Sequence, residues 1–132
     1  MTQQQIVESV RLLAAAKRKA AKLTIKELAK AANISCVAVS KLEQGGGTQM
    51  YTLASVFGVF GDQLTDDPEV IGSRLRSKRG SMCISQRELA DRMDTLPEVV
   101  CEIENGHYAP RITTLAKFCE AMDLDIWEVL AE

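Results

Sequence analysis

Histidine is almost missing from this sequence: one residue in 132, His107. Four cysteines (Cys36, Cys83, Cys101, Cys119) stand far apart and never form a C-x-x-C pair. A zinc site therefore lacks its closely spaced ligand pairs, and no metal is expected. The thiols read as small buried or half-exposed side chains of a reducing compartment. No Ser/His/Asp or Cys/His set occurs at a meaningful spacing, so neither an enzyme, nor a cofactor, nor a small-molecule substrate is expected. The triple glycine 45–47 is not a phosphate loop, because no G-K-[ST] follows and no strand precedes it. It reads instead as a flexible, shortened connection. Nowhere do 18 apolar residues run together, so no membrane span is expected. The opening MTQQQIVESV has no basic start followed by an apolar block, so no signal peptide is expected and the cytoplasm is the inferred location.

What is present is a foldable composition, with 46% apolar residues, 26% charged residues and only three prolines. The length allows one domain or two small ones. A net charge of −2 argues against indiscriminate nucleic-acid binding, but the charge is unevenly spread. Residues 1–65 carry eight basic and four acidic residues, a net +4. Residues 66–132 carry eight basic and fourteen acidic residues, a net −6. A local positive patch is what phosphates require, so any half that touches DNA should be the first.

The chain also repeats itself. A shift of 61 residues lays LTIKELAKAANISCVAVSKLEQG (23–45) on ISQRELADRMDTLPEVVCEIENG (84–106). Glu27, Leu28 and Ala29 meet Glu88, Leu89 and Ala90; Val39 meets Val100; Glu43 meets Glu104; Gly45 meets Gly106. Upstream, Lys17-Arg18 falls on Lys78-Arg79. Beyond the glycine the register shifts, and FGV (57–59) set against MDL (122–124) implies that the first copy lacks four loop residues.

Both copies read as helices. Ile25, Leu28, Ala29 and Ala32 share one face of a short helix. Asn33 and Asp94 suit an abrupt left-handed turn. Ser35 opens the next helix of the first copy, with Val39 and Leu42 facing inward. Thr95 to Glu98 reads as a T-x-x-E capping box in the second. Gly45 and Gly106 suit helix C-termini. Between the copies, Asp67 offers an N-cap and Pro68 a first helical residue, leaving a linker of a few residues.

These residues resemble the lambda-repressor-like, Cro-type (XRE) helix-turn-helix family. Its motif, a Gln or Thr start, then E-L-A, a turn, and S-x-x-x-V/I-S-x-x-E-x-G, is legible at 24–45 and again at 85–106. SRLRSKR (73–79) looks like the family's first helix, and the resemblance spans roughly 6–64 and 68–130. It implies an all-α fold: two consecutive compact bundles of about five helices each, joined by a short linker, with domains at 1–65 and 66–132. The first would be the main DNA reader; the acidic second would serve dimerisation or a secondary DNA contact.

In this family the motif's second helix enters the major groove. Carried over by position, the base readers would be Ser35, Cys36, Val37, Ser40 and Lys41. Lysine donates to guanine O6/N7 or to phosphate, and valine can sit on a thymine methyl. Phosphate contacts would come from Lys22, Thr24, Lys26 and Gln44, although Ile25 stands where the family has a phosphate-binding glutamine. The second copy keeps that glutamine as Gln86, followed by Arg87, and keeps Asn105; with Arg76 these form a possible secondary DNA contact. Its reading face differs, with Pro97, Glu98 and Glu102 replacing Cys36, Val37 and Lys41. Those carboxylates would repel flanking phosphates, so the second copy should keep the scaffold and have lost the reading role. The alternative is that a basic helix with Arg74, Arg76, Lys78 and Arg79 still clamps DNA. The resemblance also implies structural ion pairs, Arg18 with Glu43 and Arg79 with Glu104.

Ile126, Trp127, Val129 and Leu130 form an apolar patch that either closes the second core or makes a dimer contact. The expected function is a sequence-specific regulator, most simply a phage, plasmid or mobile-element repressor, acting as a homodimer on a double-stranded operator. The alternative is a protein-interaction module, such as an antitoxin or anti-repressor, whose acidic half binds a partner.

Overall fold

Residues with left-handed backbone mark the repeat in the computed structural model, which describes all 132 residues. Lys22, Asn33 and Gly45 (φ 59°, 58° and 80°) recur 61 positions later as Cys83, Asp94 and Gly106 (φ 58°, 54° and 76°). Each ends a helix: α1 (Gln3–Ala20), α2 (Ile25–Ala32) and α3 (Cys36–Glu43), then α5 (Pro68–Ser81), α6 (Gln86–Arg92) and α7 (Pro97–Glu104). Two further helices follow in register, α4 (Met50–Val59) and α8 (Ile112–Met122), and α9 (Ile126–Leu130) closes the chain. No helix is long and apolar enough to cross a membrane.

The caps explain where the helices start. Thr24 and Glu27 form a reciprocal capping box on α2, and Ser85 accepts from the Glu88 N–H at the same place on α6. Ser35 caps α3 and Asp67 caps α5, with Pro68 at the first helical position. The T-x-x-E box expected at Thr95 does not form. Leu96 is the N-cap of α7 and its side chain makes no cap bond. Pro97 decides this, because proline suits the first helical position and holds the residue before it in extended backbone.

The loop arithmetic also needs correction. Beyond α4, the Gly61 and Asp62 N–H groups bond the Gly58 and Phe57 carbonyls. Beyond α8, Asp123 and Leu124 bond Glu120 and Cys119 in the same pattern, 62 positions on. The first copy is therefore one loop residue shorter, not four. The triple glycine is correspondingly not slack: the Ile112 N–H bonds the Thr48 carbonyl (3.0 Å), Thr48 is buried, and its hydroxyl donates to the Gly46 carbonyl.

The bundles hold four and five helices. Where the first copy would need its fifth, residues 63–65 are extended and pair with the chain's end, Thr65 N–H bonding the Leu130 carbonyl at 2.7 Å and Glu132 N–H the Gln63 carbonyl at 3.2 Å. The second copy fills the gap. Helix α1 packs along α8, whereas the counterpart pair α5 and α4 makes no comparable contact. The Gln3 N–H and amide bond the Glu120 carboxylate and the Thr113 carbonyl.

Each bundle buries matching residues: Val10, Leu28, Val39, Leu42, Leu53 and Phe57 in the first, and Ile71, Leu89, Val100, Ile103, Leu115 and Cys119 in the second. The two sets merge into one continuous core. Of the C-terminal patch, Ile126, Val129 and Leu130 close the second core, while Trp127 lies against Phe57 of the first (centroids 5.5 Å apart, tilted 52°). Such an aromatic pair adds about 0.5–1.5 kcal/mol beyond its buried area.

The cysteines are free, Cys36 and Cys83 exposed and Cys119 buried. Burial, with Asp125 nearby as a lesser cause, pushes the Cys119 thiol up to about 12. In the native protein at neutral pH, a thiol reagent should modify Cys36 and Cys83 quickly and Cys119 only after denaturation. Mass spectrometry of the timed reaction checks this, and early labelling of Cys119 would contradict the packing.

Candidate nucleic-acid interface

Helix α3, the expected reading helix, is held by an ion pair at its base. Arg18, in the last turn of α1, grips Glu43 at the end of α3 through two bonds (Nε–Oε2 2.7 Å, Nη2–Oε1 3.0 Å). Its Nη1 donates to the Leu23 carbonyl ahead of α2 (2.9 Å). One guanidinium thus ties together three consecutive elements. Arg79 repeats the arrangement on Glu104 and the Ile84 carbonyl, at 2.7, 2.9 and 2.9 Å. Hydrogen bonding to these carboxylates raises the already high pKa of both arginines. The glutamates therefore have structural partners, and their planar bidentate geometry fixes the angle at which α3 and α7 leave their bundles.

On α3 the inward residues Val39 and Leu42 are buried. Ser35, Cys36, Val37 and Lys41 are exposed and Ser40 is half-buried, so all five expected readers lie off the core. Val37 is 64% exposed, far more than packing requires of a valine. The Ser40 hydroxyl accepts from the Gln44 amide (3.0 Å), linking a reader to the residue behind it. The expected phosphate residues flank this face: Lys22 and Lys26 are exposed around the start of α2, Thr24 caps it, and Gln44 follows α3. No carboxylate lies within 4.0 Å of Lys22, Lys26 or Lys41, so three cations stand free on the same half.

On α7 the same positions are chemically opposite. Glu98 and Glu102 are exposed with no cation within 4.0 Å, beside a Leu96 that is 65% exposed. The basic helix proposed as a clamp is also thinner than its sequence suggests. Arg79 is spent on Glu104, and Arg74 donates to the Val129 and Ala131 carbonyls, holding the C-terminal turn. Of the secondary set, Arg76 and Arg87 are exposed, while the Asn105 amide leans on the Cys101 sulfur. Gln86 turns inward and donates to Glu104 (3.1 Å), because a second acceptor lone pair on that buried carboxylate would otherwise lack a donor.

One cation beside α3 is invisible to position-by-position carry-over. Arg111, the N-cap residue of α8, belongs to the second copy, yet its Nη1 reaches the Gly47 carbonyl next to α3 (3.4 Å). With Tyr51, half exposed, it borders the same groove as Ser35, Val37 and Lys41. The only sequence signal was a basic residue at a cap position, which is too weak to single out.

A helix-turn-helix family model matches residues 15–59 and again 75–126. Each match contains one complete copy of the α2–α3 or α6–α7 pair. No curated protein and no solved structure matches the chain.

Proposed function

Because the chain belongs to the Cro-type helix-turn-helix family of DNA-binding transcription regulators, as two tandem copies, we propose that it is a sequence-specific repressor of phage, plasmid or mobile-element genes. It occupies an operator and blocks polymerase. The observation that carries this is the outer face of α3, which is exposed, lacks any carboxylate, carries the unpaired Lys41 and is flanked by the unpaired Lys22 and Lys26. Residues 1–65 form the reading unit. Residues 66–132 brace it and offer the dimer surface or a secondary contact. A homodimer puts two α3 helices into successive major grooves, with half-sites about 10 bp or a multiple apart.

The roles divide by chemistry. Lys41→Ala should lose roughly 1–3 kcal/mol on the specific site and relax the preference there. Lys22→Ala and Lys26→Ala should weaken specific and random duplexes alike, each lowering the salt slope by about 1. Titrations of both DNAs across a salt series check this; equal effects from all three substitutions would overturn the division.

A second reading is favoured by the exposed Leu96, Glu98 and Glu102 on α7, which suit a basic partner protein, as an antitoxin or anti-repressor would. Selection of random duplex DNA on the full-length protein at about 150 mM salt separates the two. An enriched motif supports the repressor, and an asymmetric one would mean that both copies read. No enrichment from folded protein favours the interaction module.

A further inference from the structure

We propose that the second copy completes the first copy's DNA site through Arg111, whose guanidinium takes a phosphate of the strand flanking α3. This rests on α3 facing DNA. The loop after α3 is stapled to the start of α8 by the Ile112 N–H on the Thr48 carbonyl (3.0 Å), with Thr48 buried and its hydroxyl on the Gly46 carbonyl (3.2 Å). Arg111 is therefore held at a fixed place beside the reading helix, although 70 positions separate it from Lys41 in the chain. Each of the two basic residues lies against one of two adjacent glycines. A Cβ on Gly46 would lie 3.4 Å from the Lys41 carbonyl, and one on Gly47 would lie 3.5 Å from Arg111 Nη1. Both residues border an open groove of about 210 Å³ together with Ser35, Val37 and Tyr51.

The guanidinium is available. Its bond to the Gly47 carbonyl is long, 3.4 Å, and uses one of five N–H donors. No carboxylate lies within 4.0 Å of it. A planar fork of donors with no anion of its own matches phosphate geometry. Its anchor is the loop at the flank of α3, not the first turn from which base edges are read, so its partner is the DNA backbone.

The test uses full-length protein carrying Arg111→Gln or Arg111→Lys, titrated with its selected duplex from 50 to 200 mM salt. Arg111→Gln should bind about tenfold more weakly at the low end. It should also lower the slope of log affinity against log salt by about 1, while Arg111→Lys keeps most of that slope. The melting temperature, read alongside, should stay near wild type. A folded Arg111→Gln protein that binds DNA with an unchanged slope overturns the assignment, including the case in which affinity falls only because the loop has loosened. Wild-type protein that binds no duplex at all would remove the regulator proposal and this contact together.

Discussion

Replacing Glu104 with alanine should cost the protein about 3–5 kcal/mol of stability, the penalty of stranding one member of a buried ion pair. The Glu104 side chain has no exposure and that of Arg79 only 16%. Removing the carboxylate orphans the Arg79 fork and the Gln86 amide at once. The first-copy pair is looser, with side-chain exposures of 15% and 10%, and Ile25 stands where Gln86 would be. Glu43→Ala should therefore cost less than Glu104→Ala. Urea unfolding of the two variants at one pH decides it. An unchanged midpoint for Glu104→Ala, or a larger loss for Glu43→Ala, would show that burial of the pair is not what matters.

The second large effect reverses a helix-propensity rule. Gly72 lies inside α5, where alanine normally gains about 1 kcal/mol over glycine. Here a Cβ would fall 2.3 Å from the Ile103 carbonyl oxygen, 2.8 Å from that of Glu104 and 3.1 Å from the Glu104 carbonyl carbon. All three are backbone atoms of α7, so no side chain can swing aside and the helices must part. Gly72→Ala should lose about 3 kcal/mol, the upper end for overpacking. A melting temperature at or above wild type would sink the claim that α5 sits backbone-on-backbone against α7. In the first copy the corresponding residue is Arg11, whose side chain lies over Gly45 and donates to the Glu43 carbonyl (3.2 Å). The two bundles therefore join first and third helices differently, one through bare backbone and one through a long side chain.

Much of this was legible wherever both partners of a contact lie in one copy at a preserved offset. The family resemblance implied Arg18–Glu43 and Arg79–Glu104, and the offset preserved both partners of each, while Asn33 and Asp94 marked their turns because few residue types tolerate left-handed backbone. The family resemblance, carried over by position, placed the expected readers on residues that lie off the core. Contacts between copies left no such trace. Arg111 beside α3, and Trp127 on Phe57, join residues that no internal repeat aligns. The missing fifth helix was hidden for a related reason, since residues 63–65 find their backbone partners at the far end of the chain. The miscounted loop came from matching FGV to MDL by apolar character alone, which many registers satisfy; the carbonyl bonds beyond α4 and α8 specify a single one. Thr95 was misjudged because a capping pattern was weighed without the stronger demand of Pro97.

The packing of α1 along α8 also sets a timetable for synthesis. The bond from Gln3 to Glu120 spans 117 positions, so at roughly 5–20 residues per second α1 waits roughly 5–25 s for its cover. During that interval α2 and α3 are already off the ribosome and Arg18 can already grip Glu43, but the side of α1 that packs along α8 stays uncovered. That side of α1 is covered only once α8 has been made, so a half-finished chain carries it open to solvent and to neighbouring chains.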